Sequence, residues 1–250
     1  MVAALFYVAA SRARHALNPN DKILPTIEGI GAAVQRMAFE VNAQTGVIPL
    51  WADTAASLSR MGLGLSIATL TALLLGLALG LLPLVRASLG PIVAAIAVVP
   101  PIAILPILFI VLGLGETSKI ALIAIGVGPQ MVRDMAAHVA AIPQEQMIKA
   151  QTLGASTWQT ALRVALPQAL RRLIHCLRLS LGSAWVFLIS AEAIASDVGL
   201  GYRIFLVRRY LAMDVILPYV VWIALLAVAM DWILSSLSRR AFAWSHVRPA

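Results

Sequence analysis

"MGLGLSIATLTALLLGLALGLLPLV", residues 61–85, holds no charged side chain between Arg60 and Arg86. A helix crosses the hydrocarbon core of a bilayer with roughly 20 apolar residues, and this run exceeds that. So does the next one, Ala87 to Gly115, between Arg86 and Glu116. Composition agrees: 61% of the chain is hydrophobic and 12% charged, against about 45–50% and about 25% in soluble domains. These numbers exclude an ordinary soluble globular domain and predict an integral membrane protein.

Three shorter runs follow, Ile120–Val132, Leu179–Ala191 and Val215–Met230. The charges at their ends can snorkel or face a protein interior. They are read as the centres of spans over 118–135, 173–195 and 215–237, so an all-α bundle of five transmembrane helices is expected. "MVAALFYVAA" at residues 1–10 is too short to span and lacks the basic start of a signal peptide. It is either the stub of a possible sixth helix or an interfacial anchor. After Pro25 an Ile/Val/Met pattern predicts a short amphipathic surface helix. The expected organisation is therefore an N-terminal segment over 1–53, a membrane domain over 54–240 and a tail over 241–250.

A net charge of +8 fits arginines marking cytoplasmic loops better than a nucleic-acid partner, which is not expected. Lys149, Arg163, Arg171, Arg172 and Arg178 cluster in one region, and Arg239, Arg240 and Arg248 at the end. Both regions are assigned inside, with two crossings between them. Arg203, Arg208 and Arg209 then fall outside, partly balanced by Asp197 and Asp214. One cysteine, Cys176, excludes an internal disulfide, and the four histidines lack ligand spacing, so no metal is expected.

The second run, "PIVAAIAVVPPIAILPILFIVLGLGE", contains Pro91, Pro100, Pro101 and Pro106. Proline removes a backbone donor and obstructs the preceding turn. The carbonyls it frees must be met by protein or water, so this span is either broken beside a transport pathway or merely kinked against its neighbours. Gly76 and Gly80 stand at GxxxG spacing, which suits close helix packing or a dimer contact.

Between the apolar runs lies "KAQTLGASTWQTALRVALP", residues 149–167. Pro143 suits the first turn of a helix, and 144–153 are good helix formers. Gly154 is placed to end that helix, and Ser156 with Gln159 forms a capping box that starts another. That second helix is expected to stop near Leu166, ahead of Pro167. The result is a compact polar lobe, which either docks in a groove on a partner or packs on its own bundle.

The lobe resembles the EAA loop of ABC-importer permeases, E-A-A, three residues, Gly, nine residues, Ile-x-Leu-Pro. Aligned on Leu166-Pro167, the glycine is Gly154, Val164 stands for the isoleucine, and Ala150 is the third motif position. Ile148 replaces the glutamate and Lys149 the first alanine. "VVPPIAILPILFIVLGLGE", "TLGAS" and "ISAEAIASDVGLG" are similar to the nitrate/taurine/aliphatic-sulfonate permeases, over roughly 54–240. The resemblance implies a MetI-like fold in the bacterial inner membrane with a cytoplasmic C-terminus, and a pair of permease copies. It implies a cytoplasmic ATPase dimer bound through 143–167, on Lys149, Ala150, Gly154, Ala155, Ser156, Val164, Leu166 and Pro167. It further implies a periplasmic or lipid-anchored binding protein that delivers nitrate, a sulfonate, taurine or a urea- or guanidine-related solute.

None of the three lysines, Lys22, Lys119 and Lys149, follows a glycine, so the chain has no Walker A motif. No cofactor is expected in it, ATP and magnesium belonging to the partner subunit, and the chain itself is not read as an enzyme. Candidate pathway residues are Pro100, Pro101 and Pro106, with Gly182, Trp185 and Glu192 as one stripe on the fourth span. The alternative for Glu192 is a hydrogen bond to the loop "SDVGLG" at 196–201. The rival function is a secondary transporter or channel with broken helices and no ATPase.

Overall fold

The computed structural model describes residues 22–43 and 45–242, with Tyr7, Val8, Ala10, Ser11, Arg14 and Ala16 before them. Much of the apolar stretch at 1–10 and most of the tail at 241–250 lie outside the described residues. The described elements are helical. α1 (Ile27–Phe39) is capped by Thr26, whose hydroxyl accepts from the Gly29 amide at 3.1 Å. It is followed by α2 (Pro49–Leu81), α3 (Pro83–Val98), a 3₁₀ turn (Pro101–Ile104) and α4 (Leu105–Leu112). Then come α5 (Glu116–Ala140), α6 (Gln144–Thr152), the single turn α7 (Thr157–Thr160), a π turn (Ala161–Ala165), α8 (Leu166–Ile194), α9 (Leu200–Arg208) and α10 (Met213–Ala241).

α2, α5, the helix over 158–194 and α10 are each long and apolar enough to cross a membrane; α3 and α4 qualify together as a pair bent by 87°. At about 1.5 Å per residue, 61–81 alone spans roughly 30 Å. α2 nevertheless starts at Pro49, carrying Asp53, Ser57 and Arg60 into the same helix. Its end also differs from the charge-free run: Pro83 starts α3, where its missing donor costs nothing.

Contacts divide the chain into two units: residues 1–59 with 189–226, and residues 60–188 with 227–250. In the second unit, α2 meets α5 through glycines. A Cβ on Gly64 would collide with Ile123, one on Gly76 with Met135, and one on Gly80 with Val139. Both members of each pair advance together, so α2 and α5 run parallel in constant register. The chain between them must therefore return across the unit, through the bent pair α3–α4; four helices are long and apolar enough to cross, or five when the bent pair counts as one span. The GxxxG pair is absorbed by this packing within the chain. Arg60 and Lys119 sit side by side in that register, both buried, and Glu116 bridges them: Arg60 donates from Nε and from Nη2 (2.7 Å), and Lys119 at 3.1 Å.

The bend itself follows from proline. α3 ends at Val98, Pro100 is extended, and Pro101 opens the 3₁₀ turn. Pro106 lies in the first turn of α4, where no amide donor is needed.

Candidate functional site

The polar lobe is built by local chemistry. α6 carries its polar side chains outward and ends in a Schellman motif: the Gly154 amide donates to Gln151 O at 2.9 Å and the Ala155 amide to Ala150 O at 3.0 Å. This closure needs a left-handed residue, and Gly154 has φ +83°. The next helix opens with the reciprocal capping box, Ser156 N–H donating to Gln159 Oε1 at 3.0 Å and Gln159 N–H to Ser156 Oγ at 3.2 Å.

Pro167 does not stop the second helix, contrary to expectation. The segment 158–194 is one continuous helix. The π turn widens it just ahead of the proline, with the Leu166 amide donating back to Ala161 O, so the ring avoids the carbonyl it would strike in a regular turn. The Gln168 side chain adds donors, to Val164 O and to Gln146 Oε1, each at 3.0 Å. That second bond ties α6 to α8.

Although polar, the lobe displays apolar knobs. Leu153 is 88% exposed, Trp158 71% and Ile148 55%. Lys149, Gly154 and Ser156 are exposed, while Ala150, Ala155 and Val164 are half-buried. Ser238, near the end of α10, lines the same cavity as Gln146 and Arg163. The lobe and the end of α10 are therefore at one end of the second unit.

The candidate pathway stripe on α8 splits. Gly182 is open, with nothing within 4 Å of where a Cβ would stand. Trp185 is buried, and its indole N–H has no hydrogen-bond partner among the described residues. Glu192 is fully buried in the first unit, where it has the loop-bonded arrangement instead of an open face. It accepts from Ser57 Oγ at 2.8 and 3.0 Å and from the Gly201 amide at 2.8 Å. Ser57 in turn accepts from the Leu200 amide at 2.9 Å. Gly199 and Gly201 make room for this carboxylate; a Cβ on Gly199 would lie 2.6 Å from it.

Beside Glu192 lies an anchor that sequence reading missed. Asp53 is fully buried and accepts from Arg203 Nε (2.8 Å), the Tyr219 hydroxyl (2.8 Å) and the Gly199 amide (3.0 Å). Burial works against the charge of Arg203, but the Asp53 carboxylate outweighs it and holds the guanidinium above its ordinary pKa. Trp222 donates to Thr54 at 2.9 Å and stacks edge-on against Trp51 at 5.6 Å. The anchor joins α2, α9 and α10 with the loop after α8. Its one sequence signal was a charged residue, Asp53, just ahead of an apolar run.

Residues 68–243 match the model of the "binding-protein-dependent transport system inner membrane component" family. The chain is 40% identical over 195 residues to the taurine transport system permease protein TauC of Escherichia coli K12, covering 78% of this chain and 71% of that one. It is 30% identical over 148 residues to the nitrate import permease protein NrtB of Synechococcus elongatus, covering 59% and 53%. An inward-facing structure of the MetNI methionine ABC transporter superposes with a TM-score of 0.67 at 20% identity, over 77% of this chain and 95% of that one. Four to five membrane-long apolar helices, the MetI-like fold and these matches lead to one conclusion: the chain belongs to the binding-protein-dependent transport system inner membrane components, the membrane-spanning permeases of ABC transporters.

Proposed function

We propose that the chain forms, with a second copy of itself, the translocation path of an ABC importer for a small oxyanion or sulfonate, and that residues 143–167 couple it to a cytoplasmic ATPase. The observation that carries this reading is the lobe's build. Two capped helices around Gly154 hold Ile148, Leu153 and Trp158 out from a polar surface, as a helix seated in a partner's groove requires. Lys149, Ala150, Ala155 and Ser156 shape that surface, and Val164, Leu166 and Pro167 join it to α8. The continuous helix from 158 to 194 then acts as a lever: a push on the lobe reaches the span without crossing a flexible joint.

In this reading the bend at Pro100, Pro101 and Pro106 and the open face of α8 at Gly182, backed by Trp185, border the path. Glu192 is structural. The lobe and the C-terminus are cytoplasmic, and a binding protein outside delivers the solute. ATP and magnesium are held by the partner, so this chain binds and moves solute without hydrolysing ATP. Relatives named for taurine and nitrate support the solute class.

The test is co-purification of the tagged chain with its ATPase in mild detergent, then ATP-driven uptake in vesicles, with the native chain and Gly154→Val. Recovery of an ATPase subunit with the native chain, lost or uncoupled in the variant, is the expected result. A chain that purifies alone and moves solute without ATP refutes the reading.

A further inference from the structure

A cavity of about 760 Å³ opens between the lobe and the base of the spans, within the size range of small-molecule sites. Arg163 comes from the π turn, Arg171, Arg172 and Arg178 from α8, His138 from α5 and Gln146 from α6. No aspartate or glutamate lines it among the described residues. Asp231 is paired with Arg178, at 2.7 and 2.9 Å.

Two features separate this cluster from arginines that merely mark one side of a membrane. Such side chains snorkel into water, as the exposed Arg163 and Arg171 can, whereas Arg172 is half-buried and its Nε is shielded with no hydrogen-bond partner among the described residues. The π turn also sets the register. Arg171 and Arg178 are seven residues apart, within about 20° on a helix of 3.6 residues per turn. Arg163 is eight residues before Arg171 and would stand about 80° away in a regular helix. Arg163 lies within the π turn, whose wider winding takes up part of that offset and turns Arg163 toward the stripe, and all four arginines line the one cavity. With Arg178 paired to Asp231, the bulge helps gather the guanidinium groups of Arg163, Arg171 and Arg172, which repel one another, an arrangement an anion relieves.

We infer that this cavity is an oxyanion site, binding a phosphate or sulfonate group between the lobe and α8. Guanidinium forks match the paired oxygens of such groups. The group is carried either by a soluble anion or by an anionic lipid headgroup. A bound oxyanion cross-links Arg163 to Arg171 and Arg172 and so stiffens the lobe. The site stands independently of whether an ATPase docks there.

The test uses the full chain in nanodiscs. One arm titrates radiolabelled inorganic phosphate into neutral phosphatidylcholine discs. The other mixes in phosphatidylglycerol and counts retained lipids by native mass spectrometry. Binding in at least one arm is expected, weakened at least tenfold in Arg171→Gln/Arg172→Gln and unchanged in Arg240→Gln. Phosphate alone identifies a soluble ligand, and phosphatidylglycerol alone a headgroup. Hydrogen exchange over 144–165 should slow with the bound ligand in the native chain only. Should the double variant fail to fold, Arg163→Gln, on the lobe side, serves in its place. No binding in either arm, or equal binding by the variants, overturns the inference.

Discussion

The anchor around Asp53 and the lobe around Gly154 are both polar regions of a greasy chain, and they are polar in opposite ways. In the anchor, Asp53, Ser57 and Glu192 are fully buried and each is hydrogen-bonded. In the lobe, hydrogen bonds serve mainly to close the turns, and apolar side chains are exposed. Satisfied buried charge holds a structure in place, because breaking it leaves a partner desolvated and alone. Exposed apolar groups on a rigid polar platform offer contact area to something else. The difference separates residues that hold the fold from residues exposed on its surface, where the proposed coupling would act.

Substitutions should follow that division. Asp53→Asn leaves Arg203 without its counter-charge, and a loss of about 3–5 kcal/mol is expected, read as an early thermal unfolding transition in detergent. An unchanged transition would mean that the anchor is not structural. Glu192→Gln should cost about 1.5–3 kcal/mol, as for hydrogen bonds to a charged group. If that variant melts normally yet changes which solute is taken up, Glu192 belongs to the path after all.

Effects in the lobe should be smaller in stability and larger in coupling. Gly154→Val forces a β-branched side chain to φ +83°, costing about 1–2 kcal/mol locally. Hydrogen exchange should rise over 144–165, with the global transition unmoved. Leu153→Ala and Trp158→Ala should alter stability by no more than about 0.5 kcal/mol while ATPase recovery falls. Full recovery with both would remove these knobs from the interface and weaken the contrast between the two regions.

Much of the lobe was legible because its chemistry is local. A left-handed glycine and a Ser-x-x-Gln box act over three or four residues, so spacing alone locates them. Pro167 misled for the same reason: the local rule that proline ends a helix takes no account of a π turn that widens the helix first. The stripe of Gly182, Trp185 and Glu192 shared one helical face on paper. α8 runs past different neighbours along its length, and they cover Trp185 and Glu192 but not Gly182.

By itself the sequence determined the class of solvent, the long apolar helices and the caps of the lobe, since apolar run length and short-range hydrogen bonding are properties of contiguous residues. Only the tertiary structure decided that Ser57 meets Glu192 and that Asp53 meets Arg203 and Tyr219. It alone set α2 parallel to α5 and gathered four arginines around one cavity. These pairings join residues far apart in the chain, and they form because a buried charge must find a partner wherever packing brings one within reach.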